Sequence, residues 1–222
     1  MDINVLGICG SPIKGGNTEH FLKEAMTVVA GMESVKSEMI NIAGKDIKDC
    51  KQCNWCLLKQ TEDKLCAIED DMADIFPKVL KADVLLLATP VYIARLSGYL
   101  ANLIDRLRAC AFGKVYEGKL KDKVGGALAV AWMRHGGVET ALLSIDYLFL
   151  GFEMIPASVH HPGVLFGAGG TSSFGGAGKF DPKDKLGILK DEWGLNGARE
   201  LARRAVELAR IIKAGKKALR DD

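Results

Sequence analysis

The stretch Ile3-Asn-Val-Leu-Gly-Ile-Cys9, followed by Gly10-Ser-Pro-Ile-Lys-Gly-Gly-Asn-Thr18, decides the fold of this 222-residue chain. Apart from Asn4, Ile3–Cys9 is an apolar run rich in β-branched residues, which is typical of a strand buried on both faces. Gly10–Thr18 is a glycine-containing loop, and apolar residues then recur at helical spacing from Phe21 to Val29. We expect Asn17-Thr18 to cap this helix. The stretch therefore predicts a strand, a loop and a helix in direct succession.

The alternation of strand and helix continues along the chain. The predicted buried strands are Ile3–Cys9, Lys36–Ala43, Asp83–Thr89, Val124–Trp132 and Phe152–Ser158. Helical patterns lie at Phe21–Val29, Met72–Leu80, Leu100–Leu107 after Ser97, Val138–Leu150 and about Ala198–Lys217. Pro77 predicts a bend or two short turns in the second helix. Strands that alternate with helices indicate a parallel sheet covered on both faces.

The length predicts one domain over residues 1–222. Two stretches interrupt the strand–helix alternation. Gly44–Glu69 is an insertion before the second helix and holds four of the six cysteines, and Gly163–Asp181 is a loop with seven glycines and no periodicity. Loops of this length inside a compact domain are usually functional or interfacial.

The composition is that of an ordinary soluble globular protein, with 48% hydrophobic and 26% charged residues. A net charge of only +2 argues against an electrostatic nucleic-acid binder. No apolar run is long enough to span a membrane, and the N-terminus lacks signal-peptide features, so we expect a cytoplasmic protein. Six cysteines in that compartment do not indicate a disulfide framework. Cys9 and Cys110 end apolar patterns, and we interpret both as small core residues.

The loop Gly10–Thr18 has the features of an anion site. At the carboxyl edge of a parallel sheet, its backbone N–H groups and the positive helix end would face a ligand, with Ser11, Asn17 and Thr18 as side-chain donors. A Walker loop would need lysine at position 16, and the glycine spacing of dinucleotide-binding loops is absent. A monophosphate cradle remains, and an ordinary glycine-containing turn is the alternative.

The cysteine motif is the sharpest chemical signal in the chain. Its spacing is Cys50-x2-Cys53-x2-Cys56-x9-Cys66. Three thiols at this spacing can converge on one side of a tight turn, and a fourth returns after a short loop. Zinc and iron–sulfur clusters both accept four thiolates, but three evenly spaced cysteines followed by a lone fourth favour a 4Fe-4S cluster. Zinc or unliganded cysteines stay as alternatives.

Several segments together resemble one known superfamily. They are Gly10–Thr18, Thr89-Pro-Val-Tyr92, Leu96-Ser-Gly98, Ile104-Asp-Arg106 and His135-Gly-Gly-Val-Glu-Thr140. They resemble the three flavin loops of the flavodoxin-like NAD(P)H-dependent FMN reductase superfamily. The cysteine motif and the following Ala67–Met72 are similar to its iron–sulfur flavoprotein branch. The resemblance implies a flavodoxin-like three-layer α/β/α sandwich with a five-stranded parallel sheet of order 2-1-3-4-5.

The resemblance also implies which residues hold the cofactors. FMN would contact Ser11, Lys14, Gly16, Asn17, Thr18, Pro90, Val91, Tyr92, Trp132, Met133, His135 and Gly136. The 4Fe-4S cluster would be bound by Cys50, Cys53, Cys56 and Cys66. Where the family often has an arginine this chain has Ile13, so either the phosphate-facing cation is missing or Lys14 supplies it as a point charge.

The function implied by the resemblance is electron transfer by a flavin-dependent oxidoreductase. Ferredoxin or a similar donor, or NAD(P)H, would supply electrons, and a 4Fe-4S cluster and FMN would pass them to a small acceptor. We expect a homodimer or homotetramer with interfaces at 44–69 and 163–181, and no nucleic-acid or membrane partner. The alternatives are an NAD(P)H-dependent FMN or quinone reductase without a cluster, and a non-catalytic FMN- or metal-binding regulator.

Overall fold

The structure is a computed structural model that describes residues 1–160, 164–179 and 181–221. A single parallel sheet runs through the described part of the chain. Its strands are β1 (Ile3–Cys9), β2 (Val35–Asn41), β3 (Val84–Pro90), β4 (Val124–Ala131), β5 (Ile155–Pro156) and β6 (Ala168–Thr171). Their order is β2-β1-β3-β4-β5, and β6 also pairs with β4. The predicted order 2-1-3-4-5 is thus confirmed, with a sixth strand added.

The far edge of the sheet differs from the sequence prediction. The predicted strand Phe152–Ser158 shrinks to the two residues of β5, which pair with the first two residues of β4. Pro156 has no N–H to donate, and Glu153 lies in the left-handed region at φ 56°, so the extended run is short. The last four residues of β4 pair with β6 instead. The glycine-rich stretch therefore completes this edge of the sheet.

Helices cover both faces of the sheet. They are α1 (Asn17–Ala30), α2 (Trp55–Leu58), α3 (Met72–Lys81), α4 (Gly98–Arg106), α5 (Arg108–Ala111), α6 (Val138–Gly151) and α7 (Glu192–Asp221). One core packs α1 and α7 against the sheet, and the other packs α3, α4, α5 and α6 against the opposite face. This is the predicted three-layer sandwich. Within the described ranges, no helix is both long and apolar enough to cross a membrane.

Of the two outcomes predicted at Pro77, a break into two short turns is wrong, because α3 is one continuous helix. The other outcome, a bend, stays a prediction. A proline at this position leaves the carbonyl of Ala73 without its helical N–H partner. Ala73 and Pro77 both lie on the exposed side of α3, where water can satisfy that carbonyl. The opposite side of the helix is buried in the core through Met72, Ile75 and Val79, which holds the helix together.

The last helix begins six residues earlier than its apolar pattern indicated. Asp191 precedes α7, and its Oδ1 accepts a hydrogen bond from the N–H of Gly194 at 3.0 Å. A Cβ at Gly194 would lie 3.0 Å from the Cα of Gly170 in β6. The start of α7 therefore depends on a close approach between helix and strand, which helical periodicity does not reveal.

Candidate functional site

A cavity of about 570 Å³ opens at the carboxyl ends of β1, β3 and β4. We call it the strand-end cavity. The first loop (Gly10–Gly16), the first residues after β3 and the residue after β4 form its walls. Nine of the twelve residues predicted to contact FMN line it: Ser11, Lys14, Gly16, Asn17, Thr18, Pro90, Val91, Tyr92 and Trp132. Residues more than 100 positions apart in the sequence therefore share one cavity.

The first loop presents unpaired backbone donors to this cavity. The first N–H bonded within α1 is that of His20, which donates to the carbonyl of Gly16 at 3.1 Å. The N–H groups of the preceding helical residues have no partner within the helix, and such groups favour an anion. Ser11 supports the loop by accepting a hydrogen bond from the N–H of Ile13 at 3.1 Å. The geometry is that of a phosphate cradle.

The carboxylate of Glu19 stabilises the first loop by a hydrogen bond to its backbone. The N–H of Gly15, at φ 66°, donates to Glu19 Oε2 at 2.8 Å. Lys23 and the amide of Asn41 also contact the Glu19 carboxylate. Burial raises the pKa of Glu19, but these hydrogen bonds lower it by more, so the net shift is downward. Glu19 therefore stays ionised and fixes the loop at neutral pH.

Asn17 has a different role from the predicted cap. Gly16 occupies the position before α1, and no side chain caps the helix there. Asn17 Nδ2 donates to the carbonyl of Lys185 at 2.9 Å, and Asn17 Oδ1 accepts from the N–H of Ile188 at 3.1 Å. These two bonds hold Lys185 and Leu186 at the cavity wall. With Lys14, Lys185 adds a second cation to the cradle.

Ser97 ties the second loop (Val91–Ser97) to the first. Its hydroxyl donates to the carbonyl of Gly10 at 2.6 Å and accepts from the N–H of Leu100 at 3.1 Å, so it also caps α4. Its N–H donates to the hydroxyl of Thr89 at 2.9 Å. Both side chains are buried. The two loops are therefore fixed to one another before any ligand binds.

The second loop contains a tight turn with unusual backbone angles. Tyr92 and Arg95 exchange two backbone hydrogen bonds, of 2.9 and 3.2 Å. Ile93 and Ala94 between them have φ of 47° and 58°. A left-handed β-branched residue is strained. Ile93 is also 96% exposed, so no packing in the described chain accounts for this turn.

Two aromatic side chains give the cavity a flat apolar lining. Tyr92 and Trp132 are half-exposed, at 44% and 48%, and both line the cavity rather than the core. Partial burial raises the pKa of Tyr92. Ser173 Oγ donates to the carbonyl of Trp132 at 2.5 Å, which fixes the residue after β4. Such a lining suits a planar ring system.

The third loop (Met133–Gly137) lies beside the strand-end cavity and not in its wall. His135 lines a neighbouring cavity of about 530 Å³ together with Arg134, Glu139 and Asp191. Gly137, at φ 95°, lies so close to the second loop that a Cβ there would be 2.4 Å from the Cα of Ala94. Met133, His135 and Gly136 are therefore near the predicted flavin edge but do not reach the cavity.

The four cysteines of the motif lie on the Gly44–Glu69 insertion, which we call the cysteine insertion. Gln52 and Asn54, on either side of Cys53, both have positive φ, at 52° and 56°, so the chain turns tightly here. Cys53 is exposed, Cys56 is buried, and Cys50 and Cys66 are half-buried. The sequence therefore folds the motif into a compact turn followed by the single-turn helix α2.

The sulfur atoms influence one another electrostatically. Burial raises the pKa of the Cys56 thiol, Arg108 opposes the shift, and the sulfurs of Cys66 and Cys50 raise it further. Across residues 1–160, 164–179 and 181–221, no three His, Cys, Asp or Glu side chains are already placed to hold a metal ion. Four thiols of this spacing fit a cluster by their chemistry. Binding requires the sulfurs to lose their protons.

Buried polar side chains pin the insertion to the core. Gln60 is 3% exposed, and its amide donates to the carbonyls of Leu65 and Ala109 at 3.0 and 2.8 Å and accepts from the N–H of Val115 at 3.0 Å. Cys56 is held through its carbonyl, which accepts from the N–H of Lys114 at 2.9 Å. The insertion is thus a packed part of the domain.

The remaining two cysteines are core residues, as expected. Cys9 and Cys110 are both fully buried, on opposite faces of the sheet. Burial raises the pKa of Cys9 to about 11 and that of Cys110 to about 12. Both stay protonated at neutral pH, so neither is suited to bind a metal or act as a nucleophile.

Ser172, Lys185 and Leu186 also line the cavity, although no sequence pattern predicted them as site residues. Ser172 directly follows β6, so a recognised strand would have pointed to it. The four residues Ala-Gly-Gly-Thr of β6 carry no alternation that could have revealed one. Lys185 and Leu186 reach the cavity only through the bonds of Asn17, and no local pattern marks them.

Comparisons with known proteins agree with this geometry. The family model of the NADPH-dependent FMN reductases matches residues 3–164. An iron–sulfur flavoprotein from Methanocaldococcus jannaschii is 35% identical over 95% of this chain and 100% of its own length. Another from Archaeoglobus fulgidus is 30% identical over 95% and 98%. In fold, the chain is similar to RosB crystallised with a bound 8-demethyl-8-formylriboflavin-5'-phosphate intermediate, with a TM-score of 0.71 and 15% identity over 99% of this chain and 87% of RosB.

Proposed function

This chain belongs to the NADPH-dependent FMN reductase family and to its iron–sulfur flavoprotein branch, and we propose that it passes electrons from ferredoxin or a similar one-electron donor to a small acceptor. It is a flavin-dependent oxidoreductase. When bound, FMN and a 4Fe-4S cluster supply the redox chemistry, and the chain supplies binding, orientation and electrostatics. We propose that the whole chain acts as one flavodoxin-like domain in the cytoplasm, as a homodimer or homotetramer.

The observation that carries the proposal is that one helix joins the two candidate sites. Ser97, which caps the first turn of α4, bonds to the first loop at Gly10. Arg106, the last residue of α4, bonds to the cysteine insertion at the carbonyl of Lys48. The nine residues of α4 span about 13 Å at 1.5 Å per residue. α4 therefore connects the loop that lines the strand-end cavity to the segment that leads into the cysteine motif.

Each wall of the strand-end cavity has a role in this proposal. The free N–H groups at the start of α1, with Lys14 and Lys185, bind the FMN phosphate. Tyr92 and Trp132 contact the flat ring system. The thiolates of Cys50, Cys53, Cys56 and Cys66 hold the cluster. No acid–base pair is required, because electron transfer at these cofactors needs none from the protein.

A second candidate function is direct reduction by NAD(P)H, which the description of the matched family favours. The two donors can be distinguished by anaerobic stopped-flow mixing of the loaded protein with either a reduced ferredoxin or NADPH, following flavin absorbance. Cys53→Ser is the matched control, because Cys53 is exposed and its loss leaves the core intact.

We expect ferredoxin to reduce the flavin of the native chain at least about tenfold faster than that of Cys53→Ser. We expect NADPH to react with both proteins at the same slow rate. Fast and equal reduction of both proteins by NADPH, with no reaction from ferredoxin, would replace the proposal with the second candidate.

A further inference from the structure

Arg106 is a charged side chain in an unusual position. It is 1% exposed, among the most buried side chains in the described chain, and lies at the end of α4. Its Nη1 donates to Asp70 Oδ2 at 2.5 Å and its Nη2 donates to Asp70 Oδ1 at 3.2 Å, which is a bidentate pair. Asp70 is equally buried, at 0% side-chain exposure. Buried pairs of this kind are costly to form, and breaking one leaves an uncompensated buried charge.

The pair clamps both ends of the cysteine insertion. Arg106 Nη1 also donates to the carbonyl of Lys48 at 2.9 Å. Asp70 Oδ2 accepts from the N–H of Lys48 at 3.0 Å, and Asp70 Oδ1 accepts from the N–H of Met72 at 3.1 Å. Lys48 lies two residues before Cys50, and Asp70 lies four residues after Cys66. The guanidinium is therefore fixed against the two chain segments that carry the first and last cysteines.

One donor of this guanidinium has no partner. Arg106 Nε is the single buried side-chain nitrogen or oxygen in the described residues without a hydrogen bond. An unpaired buried N–H is costly and needs an explanation. The Cys66 sulfur lies beside the guanidinium and interacts with it through its charge and as a side-chain hydrogen-bond partner. Nε itself makes no hydrogen bond to that sulfur.

We propose that Arg106 is a positioning residue for the cluster, and that its Nε–H donates to the sulfur of Cys66 or of the cluster once the site is loaded. This rests on the function proposed above. A sulfur ligand gains negative charge when the cluster is reduced, so a fixed donor stabilises the reduced form more than the oxidised form and raises the reduction potential. The Asp70 pair holds Nε at the correct place, which lysine cannot imitate.

The test is an EPR-monitored redox titration of the anaerobic holoprotein. Arg106→Lys keeps the charge and removes Nε, and Arg106→Met with Asp70→Asn removes the donor at unchanged net charge. Arg108→Gln is the control, because Arg108 lies near the same insertion and bonds to Asn54 Oδ1 at 3.2 Å. Iron content, FMN content and thermal melting are recorded for each protein.

We expect both Arg106 variants to lower the reduction potential of the cluster by at least about 59 mV, which is a tenfold change in the one-electron reduction equilibrium. We expect Arg108→Gln to change the potential less. Loss of the cluster at unchanged melting and FMN content also supports the inference. If Arg106→Lys has a lower melting temperature than the native chain, the potential and iron content of the double variant test the inference instead. Variants that load iron fully and keep the native potential overturn the inference. A native chain that binds no iron overturns the proposed function itself.

Discussion

The strand-end cavity and the cysteine insertion are both made of loops, but the structure holds them in different ways. Backbone and hydroxyl bonds such as Ser97 to Gly10 join the cavity loops to each other and to the sheet. The cysteine insertion is held by a separate set of bonds, from Arg106 to Lys48 at one end and from Gln60 to Ala109 in its middle. Because the two regions are held by separate sets of bonds, we expect a change in one to leave the other intact.

Removal of one thiol tests this difference most strongly. Cys53→Ser should reduce iron from about four atoms per chain to nearly none, because a cubane needs all of its ligands. FMN content should stay the same, because the cavity contains no cysteine of the motif. Metal and flavin analysis of one sample measures both.

Cys110→Ala is the control for this variant, since it removes a buried thiol outside the motif. It should retain iron and cost about 1 kcal/mol of stability through the small cavity it leaves. Loss of FMN together with iron in Cys53→Ser would show that the two regions are not independent.

Removal of the Arg106 side chain should give the next largest effect, which is a loss of stability. Arg106→Ala leaves Asp70 as an unpaired buried charge and should lower the free energy of unfolding by about 3–5 kcal/mol. Arg106→Met with Asp70→Asn leaves no unpaired charge and should cost much less. Urea unfolding of the three proteins gives the comparison. Equal losses in the single and the double variant would contradict a buried ion pair at this place.

Gly137→Ala tests whether the position of the second loop determines the shape of the strand-end cavity. Its Cβ would lie 2.4 Å from the Cα of Ala94, so the second loop must move. We expect FMN affinity to fall by at least about tenfold, or about 1.4 kcal/mol. Isothermal titration of flavin-free protein with FMN measures it.

Gly44→Ala is the matched control, because Gly44 also has positive φ, at 77°, but a Cβ there meets nothing within 4 Å. It should bind FMN as the native chain does. Equal affinity in both variants would mean that the second loop does not shape the cavity.

We expect a smaller effect from Asp146, on α6, which should make the stability of the folded chain depend on pH. Burial raises its pKa to about 7, whereas an unfolded aspartate titrates near about 3.9. Between these values the folded chain holds a proton that the unfolded chain has released, so stability falls as pH rises from about 4 to about 7. Asp146→Asn should remove this decline and melt higher than the native chain above pH about 7.

Melting curves across pH check the Asp146 prediction, with Glu153→Gln as a surface control. A parallel decline in Asp146→Asn and the native chain would show that Asp146 is not the titrating group. Iron and FMN content should not change with Asp146→Asn, because Asp146 lines neither the strand-end cavity nor the cavity beside Cys50.

The sequence predicted those parts of the fold that local chemistry decides. β1 matches its predicted limits, because Ile3–Cys9 is apolar apart from Asn4 and is followed by a glycine. Ser97 precedes α4 as expected, because its hydroxyl caps the helix. β6 was not predicted, because Gly169 and Gly170 have no side chains to form a pattern, and their place depends on packing by Val138 and Ile188.

Some residues of the candidate site could also be placed from the sequence, and others could not. Loop residues that follow strands, such as Ser11 and Val91, could be placed from sequence because parallel strands bring their carboxyl ends to one edge. Lys185 could not be placed, because a bond from Asn17 across 168 residues brings it there. The clamp of Arg106 and Asp70 also depends on contacts distant in sequence, although both residues lie in motifs that the resemblance identified.

The most direct test of the central claim is the cofactor content of anaerobically prepared protein. FMN, iron, sulfide and zinc are quantified on the same sample together with its absorption spectrum. We expect about one FMN, four iron and four sulfide per chain. FMN with zinc, or with no metal, would contradict the cluster and leave a plain flavin reductase.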